Sequence, residues 1–335
     1  HCSRSGSTAG GKDGVGIWLH PAPEVETGRV VTTPKHYAYL KIAEGCDNHC
    51  AFCVIPSLRG RYRSRQMDDI LYEARLLAAD GAKELIVVAQ DTSRYGTDFP
   101  EHKRLLPQLL RELCKIEGVR WVRVHYVYPD EISDELIETI ASEPKIVKYL
   151  DIPIQHCNDR ILKMMNRRGD RAFLTNLLQK LRDRIPGLVI RTSLITGLPG
   201  EGEAEFQELC DFLRQVKMER VGAFAFSPEE GTPAAAMEHV DTETALERAR
   251  IVEMLQSEIM DAFNDSQVGK DLDVLVDGYD EEQEQYFGRS YADSPDIDGR
   301  VWIGTQEPLH EGDMVRIHID GTLDGDLTGY PADEV

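Results

Sequence analysis

From Tyr37 to Phe263 the chain alternates between two hydrophobic periodicities. Short apolar runs of strand length cover Tyr37–Ala43, Glu84–Ala89, Trp121–Val127, Tyr149–Ile154, Val189–Thr196 and Arg220–Ser227. Between them apolar residues recur at helical spacing over Asp68–Asp80, Leu105–Ile116, Asp134–Ser142, Arg171–Ile185 and Glu203–Gln215, and a longer pattern over Thr242–Phe263 closes the series. Strands separated by helices of this length pair in parallel through crossovers. Six of them predict an α/β fold, either a partial (β/α)6 barrel or an open doubly wound sheet. Function belongs at the C-terminal ends of the strands in both cases.

After Ser266 the period shortens to two. Leu272–Val276, Arg300–Ile303 and Met314–Ile319 read as short strands, with Val315, Ile317 and Ile319 alternating against Arg316, His318 and Asp320. Residues 266–335 are therefore expected to form a small antiparallel β domain, and 37–263 the α/β unit. Residues 1–36 are rich in Gly, Ser and Pro and lack periodicity. With His1 rather than Met at the start, they read as a linker or the remnant of a preceding domain.

Composition narrows the function classes. No apolar run approaches the ~20 residues of a membrane span, and no signal-peptide order is present, so no membrane attachment and a cytoplasmic location are expected. Seven cysteines in 335 residues, three of them within eight positions, point to a metal or cluster site rather than a disulfide framework. Net charge is −21, and residues 266–335 hold four Lys/Arg against eighteen Asp/Glu, a net of −14. That imbalance argues against a basic face for nucleic acid and favours a basic partner.

The three crowded cysteines are Cys46, Cys50 and Cys53, spaced C-x3-C-x2-C on the loop that follows the first expected strand. Three thiolates on a short loop can each take a different iron of one 4Fe–4S cube and leave the fourth iron open. Zinc would want a fourth ligand at comparable spacing, and His49 is badly placed to be it. Phe52, between two of the cysteines, is positioned to shield a cluster from water. Cys114 and Cys210 fall in helical patterns and read as small core residues.

The stretch Tyr37-Ala38-Tyr39-Leu40-Lys41-Ile42-Ala43-Glu44-Gly45-Cys46, the cysteine trio and Ile55-Pro56…Arg59-Gly60 resemble the methylthiotransferase family of radical S-adenosylmethionine (SAM) enzymes. The resemblance continues through Val88-Ala89-Gln90-Asp91-Thr92, Ile152-Pro153-Ile154-Gln155-His156 and Thr196-Gly197-Leu198-Pro199-Gly200-Glu201, covering about residues 28–335. It implies a radical SAM partial barrel followed by a TRAM β domain. It also implies a preceding domain whose three further cysteines carry a second 4Fe–4S cluster; Cys2 is the single cysteine before Cys46 and is not assigned to it. The implied chemistry starts with an electron from a donor such as flavodoxin or ferredoxin. That electron splits SAM to methionine and a 5′-deoxyadenosyl radical, which removes hydrogen from an unactivated C–H bond. Sulfur then enters from the second cluster, and a second SAM supplies the methyl group.

The same resemblance suggests the SAM contacts. Gln90, Asp91 and Thr92 end the second strand, where such enzymes hold the methionine amino group; Asp91 reads either as that acceptor or as a cap for the next element. Gln155 and His156 end the fourth strand within reach of ribose hydroxyls, or His156 is packed on the sheet. Ser193 on the fifth strand, Gly197 in the turn after it and Phe226 at the end of the sixth are candidates for the adenosine. His125 points either into the barrel or into packing. Arg59, Arg61, Arg63 and Arg65 share one side of an extended segment, either to grip a carboxylate or as a solvated run. No residue is assigned to the catalytic step itself.

Two substrate classes are implied for the family: an aspartate in a small-subunit ribosomal protein, and adenosine in transfer RNA. The acidic C-terminal domain favours the basic ribosomal protein, with the tRNA enzyme as the alternative. The clusters Asp280-Glu281-Glu282-Gln283-Glu284 and Asp293…Asp296-Ile297-Asp298 are both expected to project negative potential towards that partner.

Overall fold

The computed structural model describes residues 32–332. Residues 1–31 of the segment read as linker lie outside the described residues. Strand β1 (Tyr37–Lys41) leads into a small hairpin, β2 (Ala43–Glu44) with β3 (Arg63–Ser64), which brackets the cysteine loop and a short helix α1 (Ile55–Arg59). The alternation then runs α2 (Met67–Ala79), β4 (Glu84–Val88), α3 (Leu106–Cys114), β5 (Trp121–Val124), α4 (Asp134–Ser142) and β6 (Ile146–Asp151). Helices α5 (Asp159–Met164) and α6 (Arg171–Arg184) precede β7 (Val189–Thr196); α7 (Glu203–Val216), β8 (Arg220–Ala225) and the long α8 (Thr242–Asp265) complete the unit. The six long strands pair in parallel in the order β1-β4-β5-β6-β7-β8. The helices start where the sequence supplies a cap: Ser133, Asp170 and Asp241 each accept a bond from a backbone N–H of the first turn.

Alternation along each strand separates two faces. Ala38, Leu40, Leu85, Val87, Val122 and Val124 join the helices in the main core. Their neighbours Tyr37, Tyr39, Glu84 and Arg123 fall on the opposite, concave face, as a period of two requires. The parallel strands β1, β4 and β8 end one or two residues before their expected bounds, and two others shift by three. β5 stops at Val124 because Tyr126 takes a left-handed conformation (φ 57°), and β6 begins at Ile146 instead of Tyr149.

The C-terminal strands β9 (Asp271–Asp280), β10 (Gln285–Arg289), β11 (Val301–Ile303), β12 (Met314–Leu323) and β13 (Asp326–Pro331) close into a barrel in the order β10-β11-β13-β12-β9. Its core is Val274, Val276, Val301, Ile303, Ile317, Ile319 and Leu327. The expected antiparallel pairing holds except between β11 and β13, which run parallel.

The two units meet at the N-terminal ends of the parallel strands. Trp121, Val147, Tyr149 and Val189 pack there with Leu275 and Ala292 of the β domain. Around this patch Glu84 accepts from Arg123 (2.7 Å) and Arg289 (2.6 Å), Arg289 also donates to Asp277 (2.7 Å), and Arg220 donates to Asp293 (2.7 Å). The Tyr149 hydroxyl donates to Asp298 (2.6 Å). This corrects the expectation for the second acidic cluster. Asp293 and Asp298 bury their side chains against barrel arginines and Tyr149, and Asp296, though exposed, accepts from the Tyr37 hydroxyl (3.4 Å). Only the first cluster, on the β9–β10 turn, stands free in solvent, with Glu281, Glu282 and Glu284 exposed.

Candidate active site

The cysteine loop sits at the C-terminal end of the sheet, and its path is set by backbone contacts. Gly45 (φ 81°) lies so close to the returning chain that a Cβ would come within 2.2 Å of the Arg61 carbonyl oxygen, so only glycine fits. Cys46 N–H donates to Gly60 O (3.2 Å), Tyr62 N–H to the Asp47 carboxylate (3.1 Å), and Cys53 N–H to Cys50 O (3.0 Å). Ala51 N–H reaches Met165 O (2.9 Å) and tethers the loop to the end of α5. Cys46 and Cys50 are buried and Cys53 is half-buried; all three are free thiols.

Polar groups are aimed at the sulfurs. Asn48 Nδ2 lies 3.5 Å from Cys46 Sγ, the Tyr128 hydroxyl 2.9 Å from Cys50 Sγ, and Arg167 Nη1 3.7 Å from Cys50 Sγ. The buried Arg167 guanidinium also stacks on the Tyr128 ring at 4.2 Å and donates to Pro153 O. Burial pushes the Cys46 and Cys53 thiols above their ordinary range, so a ligand that takes them as thiolates must displace the protons. A buried guanidinium beside a cysteine sulfur is matched when that sulfur is anionic. The donor set therefore fits a cluster held by Cys46, Cys50 and Cys53. Among the described residues no three His, Cys, Asp or Glu side chains group as a single metal ion would need; in a cube each thiolate takes its own iron.

The other expected site residues divide into those that line the concave face and those that brace it. Asp91 is fully buried below the loop. It accepts from Asn48 Nδ2 (2.8 Å) and from the Ser93 hydroxyl, and burial pushes its carboxyl up despite those bonds. Thr92 is also buried, its hydroxyl donating to His125 O (2.8 Å). Gln90 is half-buried and donates to Glu44 (3.3 Å). Gln155, half-buried with φ 68°, follows β6, three strands from β1 in the sheet order, and bridges to β7 at Leu194. Ser193 is half-buried on β7.

His156 turns away from this group. It is fully buried, its Nδ1 accepts from Asn158 N–H (3.0 Å), and its Nε2 lies 3.3 Å from Glu201. The space a Cβ would take at Gly197 is filled by Ala245 of α8 (2.4 Å), so helix packing accounts for that glycine. Phe226 packs under the loop with Ala51, Phe52, Ile161, Met165 and Leu198, and meets the His239 ring edge-on at 5.4 Å.

His125 points inward to the β domain: its Nε2 is 3.0 Å from the Ser294 hydroxyl, and burial followed by Arg123 and Arg191 holds its pKa down at about 3. The four arginines do not share one side. Arg59 ends α1, Arg61 is exposed, Arg63 donates to Arg61 O (3.0 Å), and Arg65 pairs with Glu73 (2.6 Å). Tyr128, Arg167 and Asn48 were not singled out from sequence. The run Asn166-Arg167-Arg168-Gly169 after α5 was the available signal, since Asn166 donates to His49 O (2.9 Å) and Arg168 to Asn48 Oδ1 (3.0 Å).

Comparison with known proteins agrees with this arrangement. The radical SAM superfamily model matches residues 40–213, and the TRAM domain model matches 268–331. A ribosomal protein uS12 methylthiotransferase RimO from Caldanaerobacter subterraneus subsp. tengcongensis is 48% identical over 302 residues, 90% of this chain and 68% of that protein. The protein of the same name from Clostridium tetani is 47% identical over 310 residues, 92% of this chain and 69% of that protein. Among solved structures, the radical SAM methyltransferase TsrM from Kitasatospora setae aligns with a TM-score of 0.50 at 17% identity, covering 59% of this chain and 38% of that one, a likeness of fold alone. With the superfamily model over more than half of its length and relatives nearly half identical along nine-tenths of it, the chain belongs to the radical SAM superfamily and, within it, to the RimO family of methylthiotransferases.

Proposed function

We propose that the protein adds a methylthio group to the β-carbon of an aspartate in the small-subunit ribosomal protein uS12. The observation that carries this reading is the 48% identity to a uS12 methylthiotransferase over 90% of the chain, which takes in both the barrel and the β domain. Cys46, Cys50 and Cys53 are the ligands assigned to the 4Fe–4S cluster, with Gln90, Gln155 and Ser193 facing SAM from the strand ends. When bound, the cluster supplies the electron that cleaves SAM. Asn48, Tyr128 and Arg167 orient two of the thiolates and stabilise their charge, as hydrogen-bonding partners of metal ligands do. Asp91 holds Asn48 and so fixes the loop, while Phe52 and Phe226 keep water from its inner side. The sulfur is assigned to a second cluster carried by a preceding domain of the full-length protein, the electron to flavodoxin or ferredoxin, and the setting to the cytoplasm.

The test is incubation of the full-length protein with SAM, a reductant and either uS12 or tRNA, read by mass spectrometry. The expected product is uS12 carrying one methylthio group in place of hydrogen. Modification of tRNA and not of uS12 would move the chain to the alternative class. For the cluster assignment, alanine at any one of Cys46, Cys50 or Cys53 is expected to abolish the visible absorption of the reconstituted 37–335 portion. Full iron and sulfide retained by such a variant would refute it.

A further inference from the structure

The concave face of the barrel holds a polar pair that none of the roles above uses. Arg191 on β7 and Asp151 on β6 are register partners, and Arg191 Nη1 donates to Asp151 Oδ1 at 3.1 Å. The contact is one-sided: Asp151 Oδ2 is buried and has no hydrogen-bond partner among the described residues. With Nη1 bonded to Asp151 and Nε only in ion-pair range of Asp298 (3.9 Å), the guanidinium keeps Nη2 to offer. Its Nη2 reaches along the sheet towards Gly222 of β8, where a Cβ would stand 3.8 Å away. Gly222 is level with Ser193, two residues beyond the Arg191 position, so the guanidinium extends towards the cysteine end of the barrel.

Two open aromatic side chains lie in the neighbourhood of this guanidinium, Phe224 over the same glycine and Tyr126 within reach of the Arg191 charge. Phe224 is 55% exposed and its ring lies over Gly222, 3.2 Å from where a Cβ would be. Tyr126 is 44% exposed and left-handed at φ 57°, a conformation rare for a bulky residue and characteristic of functional sites. Burial and the nearby Asp151 push the Tyr126 phenol up, with Arg191 opposing. Exposed aromatics on a concave wall with one charged group at the centre are what a substrate-binding recess requires.

Burial also decides the sign of that recess. Arg191 belongs to the network at the barrel floor, where acids and arginines are nearly matched. The two acids nearest Arg191 are hidden, Asp151 at 1% and Asp298 at 3% side-chain exposure, while Arg191 keeps 14%; the more open acids of the floor, Asp277 and Asp296, face Arg289 and Tyr37 instead. Of the other arginines in the network, Arg123, Arg220 and Arg289, none is as accessible. The recess thus shows a cation and conceals the carboxylates that hold it in place.

We infer that Arg191, on the wall that also carries the open rings of Tyr126 and Phe224, is the group that receives the carboxylate of the residue to be modified. This deepens the proposed function and rests on its assignment of an aspartate substrate. A second carboxylate, that of SAM, has the same chemistry. The backbone of Arg191 sits two strand residues, roughly 6–7 Å, before Ser193, but its guanidinium rises to the Ser193 level beside Gly222, so the two carboxylates are told apart by the SAM-affinity measurement below.

The experiment compares full-length holoenzyme with its R191Q and R191K variants, on uS12 carrying either Asp or Asn at the target position. Wild type is expected to prefer Asp. In R191Q, kcat/KM for the Asp substrate is expected to fall about ten- to a hundred-fold, mostly through KM, because a hydrogen bond to a charged group is lost. The Asp-over-Asn preference should collapse with it. R191K, which keeps charge but not the fork, should lie between the two. Should R191Q fail to hold its cluster, by absorption, R191K carries the test: an Asp-over-Asn ratio and KM both equal to wild type overturn the inference. So does an R191Q enzyme that keeps the wild-type preference, or one whose loss is confined to SAM affinity measured by calorimetry. If wild type modifies neither form of uS12, the proposed function itself falls, an outcome distinct from the others.

Discussion

The two acidic stretches of the C-terminal domain have similar sequences and opposite fates. Asp280–Glu284 makes the β9–β10 turn, where the Asp280 carboxylate accepts from Glu282 and Gln283 N–H (2.9 and 3.0 Å) and the glutamates point to water. Asp293–Asp298 is pressed on the barrel floor, where Asp293 meets Arg220 and Asp298 meets Tyr149. The −14 of this domain is therefore not all surface charge. Part of it is interface charge, matched by arginines whose positions were set by the parallel strands. A segment's net charge reports on partners only after the groups paired within the fold have been set aside.

The strongest way to break the comparison is at the floor, on the carboxylate that serves two arginines. Glu84→Gln leaves Arg123 and Arg289 buried with one partner fewer, which is expected to cost about 3–5 kcal/mol of stability, read by denaturant unfolding. Arg289 and Arg123 hold the Glu84 carboxyl down at about 2 against the opposing effect of burial. Its stabilising contribution is thus complete above the unfolded value near ~4.3 and is lost as pH falls towards 2. The gap between wild type and Glu84→Gln should close over that window. A gap that is small at pH 7, or constant on acidification, would show that the pair carries no such weight.

A smaller effect is expected at Asp298. Burial there outweighs Tyr149 and Arg220 and pushes the carboxyl up, so its charged form is poorly supported. Asp298→Asn keeps the shape, and the expected loss is about 1–3 kcal/mol through weakened bonds to Tyr149 and Ser294 N–H. The pH response has the opposite sign. A raised folded pKa means protonation favours the native state, so wild type gains on Asp298→Asn as pH falls through that raised value. Parallel pH profiles for the two variants would contradict these assignments.

What could be read from sequence follows from how local the information is. The six parallel strands were legible because they are short apolar runs between helical patterns, and the cysteine loop because its three ligands lie within eight residues. Tyr128 and Arg167 stand 78 and 117 residues from Cys50, and only the fold brings them together. β10 and β13 escaped notice because Gly288 and Gly329 interrupt them and polar residues such as Gln285, Asp326 and Thr328 break the alternation. Those glycines are required by packing: a Cβ would come 2.4 Å from Leu275 O and 2.3 Å from His318 O respectively. The early end of β5 at Val124, two residues before the left-handed Tyr126, was hidden because Val124-His125-Tyr126-Val127 has the composition of a strand.

The exposed turn offers the mildest change and sharpens the comparison from the other side. Replacing Glu281, Glu282 and Glu284 together by Lys touches no buried partner, so stability should move by no more than about 0.5 kcal/mol per site. The association rate with basic uS12 is where the change should appear. Charge complementarity acts on the encounter, and its reach is the Debye length, ~8 Å at physiological salt and longer in dilute buffer. Stopped-flow or surface-binding kinetics at low salt should show the variant associating several-fold more slowly, with the difference shrinking as salt is added. Dissociation should change little, since the turn steers the partner without being desolvated by it. Equal association rates at low salt would mean that these glutamates serve solubility alone. In that case the acidity of the domain would owe its use to the floor of the barrel, where Asp277, Asp293 and Asp298 are already engaged.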